Sequence, residues 1–344
     1  MTTESKEFVL YKAKQMVSEV DGKLLYLTIF GSTLYGTSRN GKSDLDVKGI
    51  YLPSKEALAL QKVQHCLSFS TGDSVTKNTE HDIDIQIWSI QKWLLQLLPE
   101  GNTNALDLLF SFTHPKCVLI EDQHMKQIFE HANEFIDIKN IDGCISYAIN
   151  QAKKYGMKGT KLGTLISIFN WLRNDITYLP TDKLSVFSNQ LIEKNLIGCK
   201  QINKNDTSFL AIHDKLYHFG ISMKEFYTRI ESEVNKYGER AFQAMQNEGI
   251  DWKAISHAIR AIRQIEMLHE KGTIEYPLSC KDELISIKEG NKPWSEMEQI
   301  ICDGINKIKT ISSSTTFKKF NTQLAEKYIC DLYDDVSSQI QNNE

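Results

Sequence analysis

From residue 24 to about 120 the apolar positions fall in short runs separated by turn residues. Leu24–Phe30 (LLYLTIF) is continuous and stops at Gly31, which predicts a buried strand. Val47–Leu52 (VKGIYL) predicts a second strand, closed by Pro53. In the stretch DIDIQIW, Ile83, Ile85 and Ile87 alternate with Asp82, Asp84, Gln86 and Trp88. That period of two predicts a strand with one buried and one polar face. Helices are predicted at Ile90–Leu98 and near Ala105–Phe112. Beyond residue 120 the period becomes helical, with candidates at Cys144–Tyr155, Leu162–Ile176, Met223–Gln246 and Trp252–Lys271 and more helix between Pro293 and Ile340. The pattern predicts an α+β chain, with a mixed sheet and helices over residues 1–120 and a mostly helical domain over 121–344.

Composition narrows the class. The 344 residues are 41% hydrophobic and 24% charged, an ordinary globular balance that excludes a disordered or fibrous chain. Lys and Arg number 40 against 44 Asp and Glu, and neither side of residue 120 is basic, which argues against tight non-specific duplex binding. No apolar run approaches the roughly 18–20 residues that span a bilayer, and the N-terminus lacks a signal-peptide pattern. Seven scattered cysteines without a CxxC pair read as reduced thiols. These features together predict a cytoplasmic protein without a membrane partner, in the host cytoplasm if a phage encodes it.

The chemistry concentrates in LLYLTIFGSTLYGTSRNGKSDLDVKGIYLP. A strand runs into Gly31-Ser32, eleven residues intervene, and Asp44-Leu45-Asp46 opens the next strand. Gly31 allows a sharp turn and a close approach of phosphate, because no Cβ stands in the way. Ser32 is placed to start a short helix whose backbone N–H groups suit an anion. Strand alternation points Asp44 and Asp46 to one face and Leu45 to the core. Two carboxylates on one face repel unless a cation joins them, and hard oxygen donors suit Mg²⁺ or Mn²⁺. Asp84 is the best third carboxylate, with Asp82 sharing its face. A Gly-Ser after a strand is commonly just a turn, and an Asp-x-Asp commonly a solvated strand end. The combination, followed by a second acidic strand, carries the functional reading.

At these residues the chain resembles the DNA polymerase β-like nucleotidyltransferase superfamily and, more closely, the YcgL/RlaP family of bacteria and large phages. GSTLYG at 31–36 and SDLDVKGIYLP at 43–53 carry the likeness most strongly. The stretch from Asp84 to Trp93, with a Lys-aromatic pair, continues it and favours Asp84 over Asp82. So do Gly101-Asn102 before Asp107-Leu-Leu-Phe-Ser111, with Asp where the family usually has Glu, and Lys253 through His257 to Arg260. The resemblance spans about residues 24–290. It implies transfer of a nucleoside monophosphate from an NTP to an acceptor hydroxyl with Mg²⁺ (or Mn²⁺). Asp44 and Asp46 would hold two metals, Asp84 one of them, and Gly31 and Ser32 the triphosphate. An RNA acceptor, at a tRNA or broken 3′ end, and an RNA-ligase association are the implied partners. Alternatives are transfer to a protein side chain or a metabolite, or a catalytically silent nucleotide- or RNA-binding protein. The intact carboxylates weigh against silence, because unpaired clustered charge destabilises a fold.

On a helical wheel Ile255, Ala258, Ile259, Ile262 and Ile265 share one side, and Lys253, His257, Arg260 and Gln264 the other. Given the resemblance, Lys253, His257 and Arg260 become candidate nucleotide or RNA-end ligands; otherwise the stripe is a solvated face. Tyr147, Gln151 and Lys158 share another face, readable as base stacking or as core with a polar rim. Phe169 and Trp171 read as core, His81 and His114 as ordinary loop residues, and Asp334-Asp335 as a solvated pair.

Overall fold

In a computed structural model the chain is α+β, as the pattern predicts. The structure describes residues 3–38, 44–72, 82–137, 142–144, 146–148, 158–194, 196, 198–204, 207–237, 250–313 and 319–341. Two compact units form: residues 1–149 with 256–344, and residues 150–255.

The first unit is built on a five-stranded sheet. Its strands are β1 (Lys23–Ile29), β2 (Leu45–Leu52), β3 (Cys66–Ser70), β4 (Ile83–Ser89) and β5 (Val118–Glu121), in the order β3-β4-β2-β1-β5. β2 and β4 are parallel, and the other neighbours are antiparallel. Alternation decides the two faces. Leu27, Val47, Tyr51, Leu67, Ile83, Ile85 and Ile87 are buried against Val9, Ala13, Met16 and Val17 of helix α1 (Thr3–Ser18). The spacing of those four α1 residues is that of one helical face, a signal present in the sequence but not among its predicted elements. The opposite sheet face holds Asp46 and Lys48 on β2 and Asp84, Gln86 and Trp88 on β4.

Three local rules position that polar face. Gly31–Tyr35 forms a single short helix, α2, directly after β1. Lys55–Ala59 makes α3 behind the N-cap Ser54, and Ile90–Lys92 makes α4 behind Ser89, continuing as a π-helical turn over Trp93–Leu97. Asn102 caps α5 (Thr103–Phe110), accepting from the N–H groups of Asn104 and Ala105. Every residue from Ala105 to Phe110 is buried, so Asp107 sits inside the unit at 1% exposure.

Helix α6 (Gln123–Glu130) begins at the N-cap Asp122. His124 Nδ1 donates to Asp122 Oδ1 at 2.6 Å, and Nε2 meets Asp335 Oδ2 at 2.7 Å. Asp335 is therefore not simply solvated; it anchors the terminal helix Thr322–Gln341 to α6. Burial alone would push the imidazole down, but the hydrogen bonds to Asp335 and Asp122 and their charges raise it above the ordinary histidine value. Asp122 is itself paired to Lys23 at 2.8 Å. A raised folded-state pKa means that stabilisation is complete below the unfolded value of about 6.5 and is lost as pH rises through the folded value. Urea unfolding followed from pH 5.5 to 8.5 should lose stability across that window, and His124→Gln should remove that part of the slope. An unchanged slope in His124→Gln would show that the clasp carries no pH dependence.

The second unit has its own core. Helix α7 (Lys158–Asn170) runs into a π-helical turn at Trp171–Asp175, followed by α8 (Leu184–Glu193) and α9 (Met223–Asn235). Trp171, Leu172, Leu184, Leu191, Leu210, Tyr217, Phe226 and Ile230 are buried together, with Phe169 packed against them, as the core reading of Phe169 and Trp171 expects. A three-stranded meander lies between α8 and α9: β6 (Cys199–Lys204), β7 (Thr207–Ile212) and β8 (Lys215–His218). It falls between the predicted helices Leu162–Ile176 and Met223–Gln246, where no element is predicted. β6 and β8 are mostly exposed, so pairing with the apolar β7 defines them rather than a pattern of their own.

Helix α10 (Trp252–Lys271) follows, then α11 (Lys281–Lys288), α12 (Trp294–Ser313) and α13 (Thr322–Gln341). No helix among the described residues is long and apolar enough to cross a membrane. His81, Gln151 and the side chain of Lys158 lie outside the described residues, as does the predicted helical stretch beyond residue 237.

Candidate active site

Strand β2 starts at Leu45, immediately after Asp44, and its parallel pairing sets Asp46 opposite Asp84 on β4. Ligand oxygens of Asp44, Asp46 and Asp84 all lie within 4.8 Å of one another, and all three residues are half-buried. Asp82 stands just before β4; its carbonyl accepts from Leu45 N at 2.8 Å, and its carboxylate contacts Thr71. Among the described residues the acidic cluster contains Asp84 and not Asp82.

Gly31 explains why the Gly-Ser turn and the Asp pair belong together. Its φ is +58°, and a Cβ added there would meet Asp46 Oδ2 at 2.0 Å and Cγ at 2.9 Å. Phe30 N donates to the Asp46 carbonyl at 2.8 Å, which ties the end of β1 to β2 at the same point. The Asp46 carboxylate therefore rests against the bare Cα of Gly31, and Ser32 opens α2 next to it. No side chain caps the start of α2.

Behind α2 lies a buried polar network absent from the sequence reading. Asp107 accepts from Tyr35 Oη at 2.7 Å, Arg260 at 2.9 Å, Gln264 Nε2 at 2.7 Å and Tyr276 Oη at 2.8 Å. The Arg260 guanidinium also stacks on Tyr35, 4.3 Å from the ring centroid, and faces Tyr147 at 6.0 Å. Burial, outweighing the Arg260 charge, holds the Tyr35 hydroxyl protonated well above the usual tyrosine range, and burial together with Asp107 does the same for Tyr276. Both phenols are therefore donors to the carboxylate.

The expected basic stripe on α10 separates accordingly. Arg260 and Gln264 are 5% and 3% exposed, so at these positions the stripe neither meets solvent nor stays open. The polar side is buried because a buried carboxylate faces it. His257 is half-buried, with Nδ1 3.3 Å from Tyr147 Oη. Lys253 is exposed in the first turn of α10 and belongs to the second unit. Asp107 stands out in the sequence as an acid in an apolar run, but its pairing with Arg260, 153 residues away, has no local signal.

A mixed sheet with a Gly-Ser turn and three carboxylates converging across two strands is the layout of a polymerase β-like nucleotidyltransferase. The chain belongs to the RlaP family, described as the RNA repair pathway DNA polymerase beta family, whose model matches residues 5–176. That segment contains the turn, all three carboxylates and Asp107, whereas Lys253, His257 and Arg260 lie beyond it. The chain is also similar to an uncharacterized 38.9 kDa protein from the nrdC-mobD intergenic region of Enterobacteria phage T4. The two are 28% identical over 310 residues, covering 86% of this chain and 91% of that protein.

Proposed function

We propose that the protein transfers a nucleoside monophosphate from an NTP to an acceptor hydroxyl on RNA, releasing pyrophosphate. The observation that carries this reading is the meeting of Asp44, Asp46 and Asp84 within 4.8 Å beside Gly31. An all-carboxylate set of half-buried oxygens fits Mg²⁺ or Mn²⁺, which favour hard oxygen donors and take their remaining ligands from phosphate and water. Asp44 and Asp46 would hold two ions, and Asp84 would share the one nearest the acceptor. A bound divalent ion would supply the charge that acidifies a hydroxyl and stabilises a departing pyrophosphate.

The chain's own residues do the rest. Ser32 and the backbone at the start of α2 bind the triphosphate, and Gly31 lets it approach. The acceptor oxygen bonds to the α-phosphorus, the bond to the bridging oxygen breaks, and pyrophosphate leaves with that electron pair. Asp84 takes the acceptor's proton. His257 meets phosphate of the nucleotide or the RNA end. Arg260 serves the nucleotide site by holding Tyr35, and with it α2, in place. The family's RNA-repair assignment favours an RNA acceptor, at a tRNA or a broken 3′ end, and an RNA ligase as the accompanying enzyme.

The test is incubation with each α-³²P-labelled NTP, Mg²⁺ and total cellular RNA, with Asp44→Ala-Asp46→Ala as control. Nuclease-sensitive label dependent on the two aspartates is expected. Protease-sensitive label would instead identify a protein acceptor. Label that persists in the double variant would remove the carboxylates from the chemistry.

A further inference from the structure

Lys48 is the next residue on the polar face of β2 after Asp46, about 6.6 Å along the strand. It pairs in register with Gln86 on β4, one row behind the Asp46–Asp84 row, and with Thr28 on β1. Its ammonium is held on three sides. Nζ donates to Gln86 Oε1 at 2.6 Å and lies over the rings of Trp88, at 4.9 Å, and Phe30, at 5.1 Å. A lysine usually keeps its charge in water at the end of a flexible stem. This one is half-buried and clamped; burial pushes its pKa below the ordinary lysine value, and the charges of Asp46, Asp107 and Asp84 offset part of that.

Clamping a cation one row behind three converging carboxylates has a specific consequence. Without metal, carboxylates whose oxygens lie within 4.8 Å of one another repel. A fixed positive charge at their base offsets that repulsion and keeps them assembled. The same charge opposes an incoming divalent cation. We propose that Lys48 is a positioning residue for the acidic cluster, a built-in counter-charge that pre-assembles the empty site and loosens its hold on metal, so that the ion exchanges freely. The proposal rests on the reading of Asp44, Asp46 and Asp84 as metal ligands.

Mn²⁺ binding measured by electron paramagnetic resonance on the full-length protein, at pH 8 and without nucleotide, tests it. Lys48→Met should bind Mn²⁺ roughly tenfold more tightly than wild type, the size expected for removing one charge at this range in a half-exposed site. Lys48→Arg should stay close to wild type. Lys48→Gln, which can keep a hydrogen bond to Gln86, is a second neutral variant should the methionine fail to fold. The melting temperature of the neutral variant should fall without metal and recover towards wild type at saturating Mn²⁺. A packing role alone would lower it equally in both conditions. Unchanged Mn²⁺ affinity in a folded neutral variant, with wild-type binding that depends on Asp46, overturns the assignment of Lys48 alone. Wild-type protein that binds no Mn²⁺, or an Asp46→Asn variant that binds it as well, overturns the metal reading and this proposal with it.

Discussion

Gly31→Ala should abolish nucleotidyl transfer while leaving most of the fold intact. The new Cβ would stand 2.0 Å from Asp46 Oδ2, closer than any non-bonded contact allows, so the carboxylate must move. At φ +58° alanine also carries a backbone penalty of about 1–2 kcal/mol, which shifts β1 and α2 rather than relieving the clash. A catalytic group displaced by about 1 Å can lose roughly 100-fold in rate. Here the displaced carboxylate belongs to the three-aspartate cluster and touches the Gly-Ser turn, so under the proposed function a loss of about 100-fold or more in kcat/KM is expected, with weakened Mn²⁺ binding. Gly36→Ala is the control. Its φ is +76° and its Cβ would press on Pro277 at 2.8 Å, away from the carboxylates. That variant should lose stability but keep Mn²⁺ affinity. A Gly31→Ala protein with wild-type rate and metal affinity would contradict the contact between the turn and Asp46.

Asp107→Leu should be the most destabilising single change in the first unit. It removes the acceptor for four donors and leaves the Arg260 guanidinium enclosed without its counter-charge. Breaking one side of a buried ion pair costs about 3–5 kcal/mol, or roughly 10 °C in Tm for a unit of this size. Adding Arg260→Met should recover a good part of that loss, because an apolar pair removes the stranded charge. Thermal unfolding of the two single variants and the double variant provides the cycle. Asp107→Leu should also impair transfer at temperatures where it is folded, since Tyr35 of α2 loses its anchor. A loss in the double variant equal to the sum of the two single losses would mean that the two side chains do not act as a pair.

The features that were legible in the sequence are those written in short-range pattern. Alternation of Ile83, Ile85 and Ile87 with polar neighbours announced β4 and its two faces, and the structure buries those three isoleucines. The Gly-Ser turn, the Asp-x-Asp pair and the later acidic strand were readable because each uses a local rule, and register then brings them together. Long-range pairing was not readable. The helical wheel separated Arg260 and Gln264 from the apolar side of α10 correctly, but a polar side is not an exposed side when a buried carboxylate faces it. Asp335 looked solvated because His124, its partner, lies 211 residues earlier. β6 and β8 lacked a pattern because edge strands with exposed faces need no apolar alternation.

By itself, then, the sequence determined an α+β chain, the strand that delivers Gly31, and Asp44, Asp46 and Asp84 as candidate carboxylates, since each follows from residue type and alternation within its own short segment. Only the tertiary structure decided that residues from Ser256 onward return to the first unit, that Asp107 is the hub behind α2, and that Lys48 is clamped beneath the acids. Each of those depends on which distant groups share a desolvated space, where the energy of a charge is set by its partners and not by its neighbours in the chain.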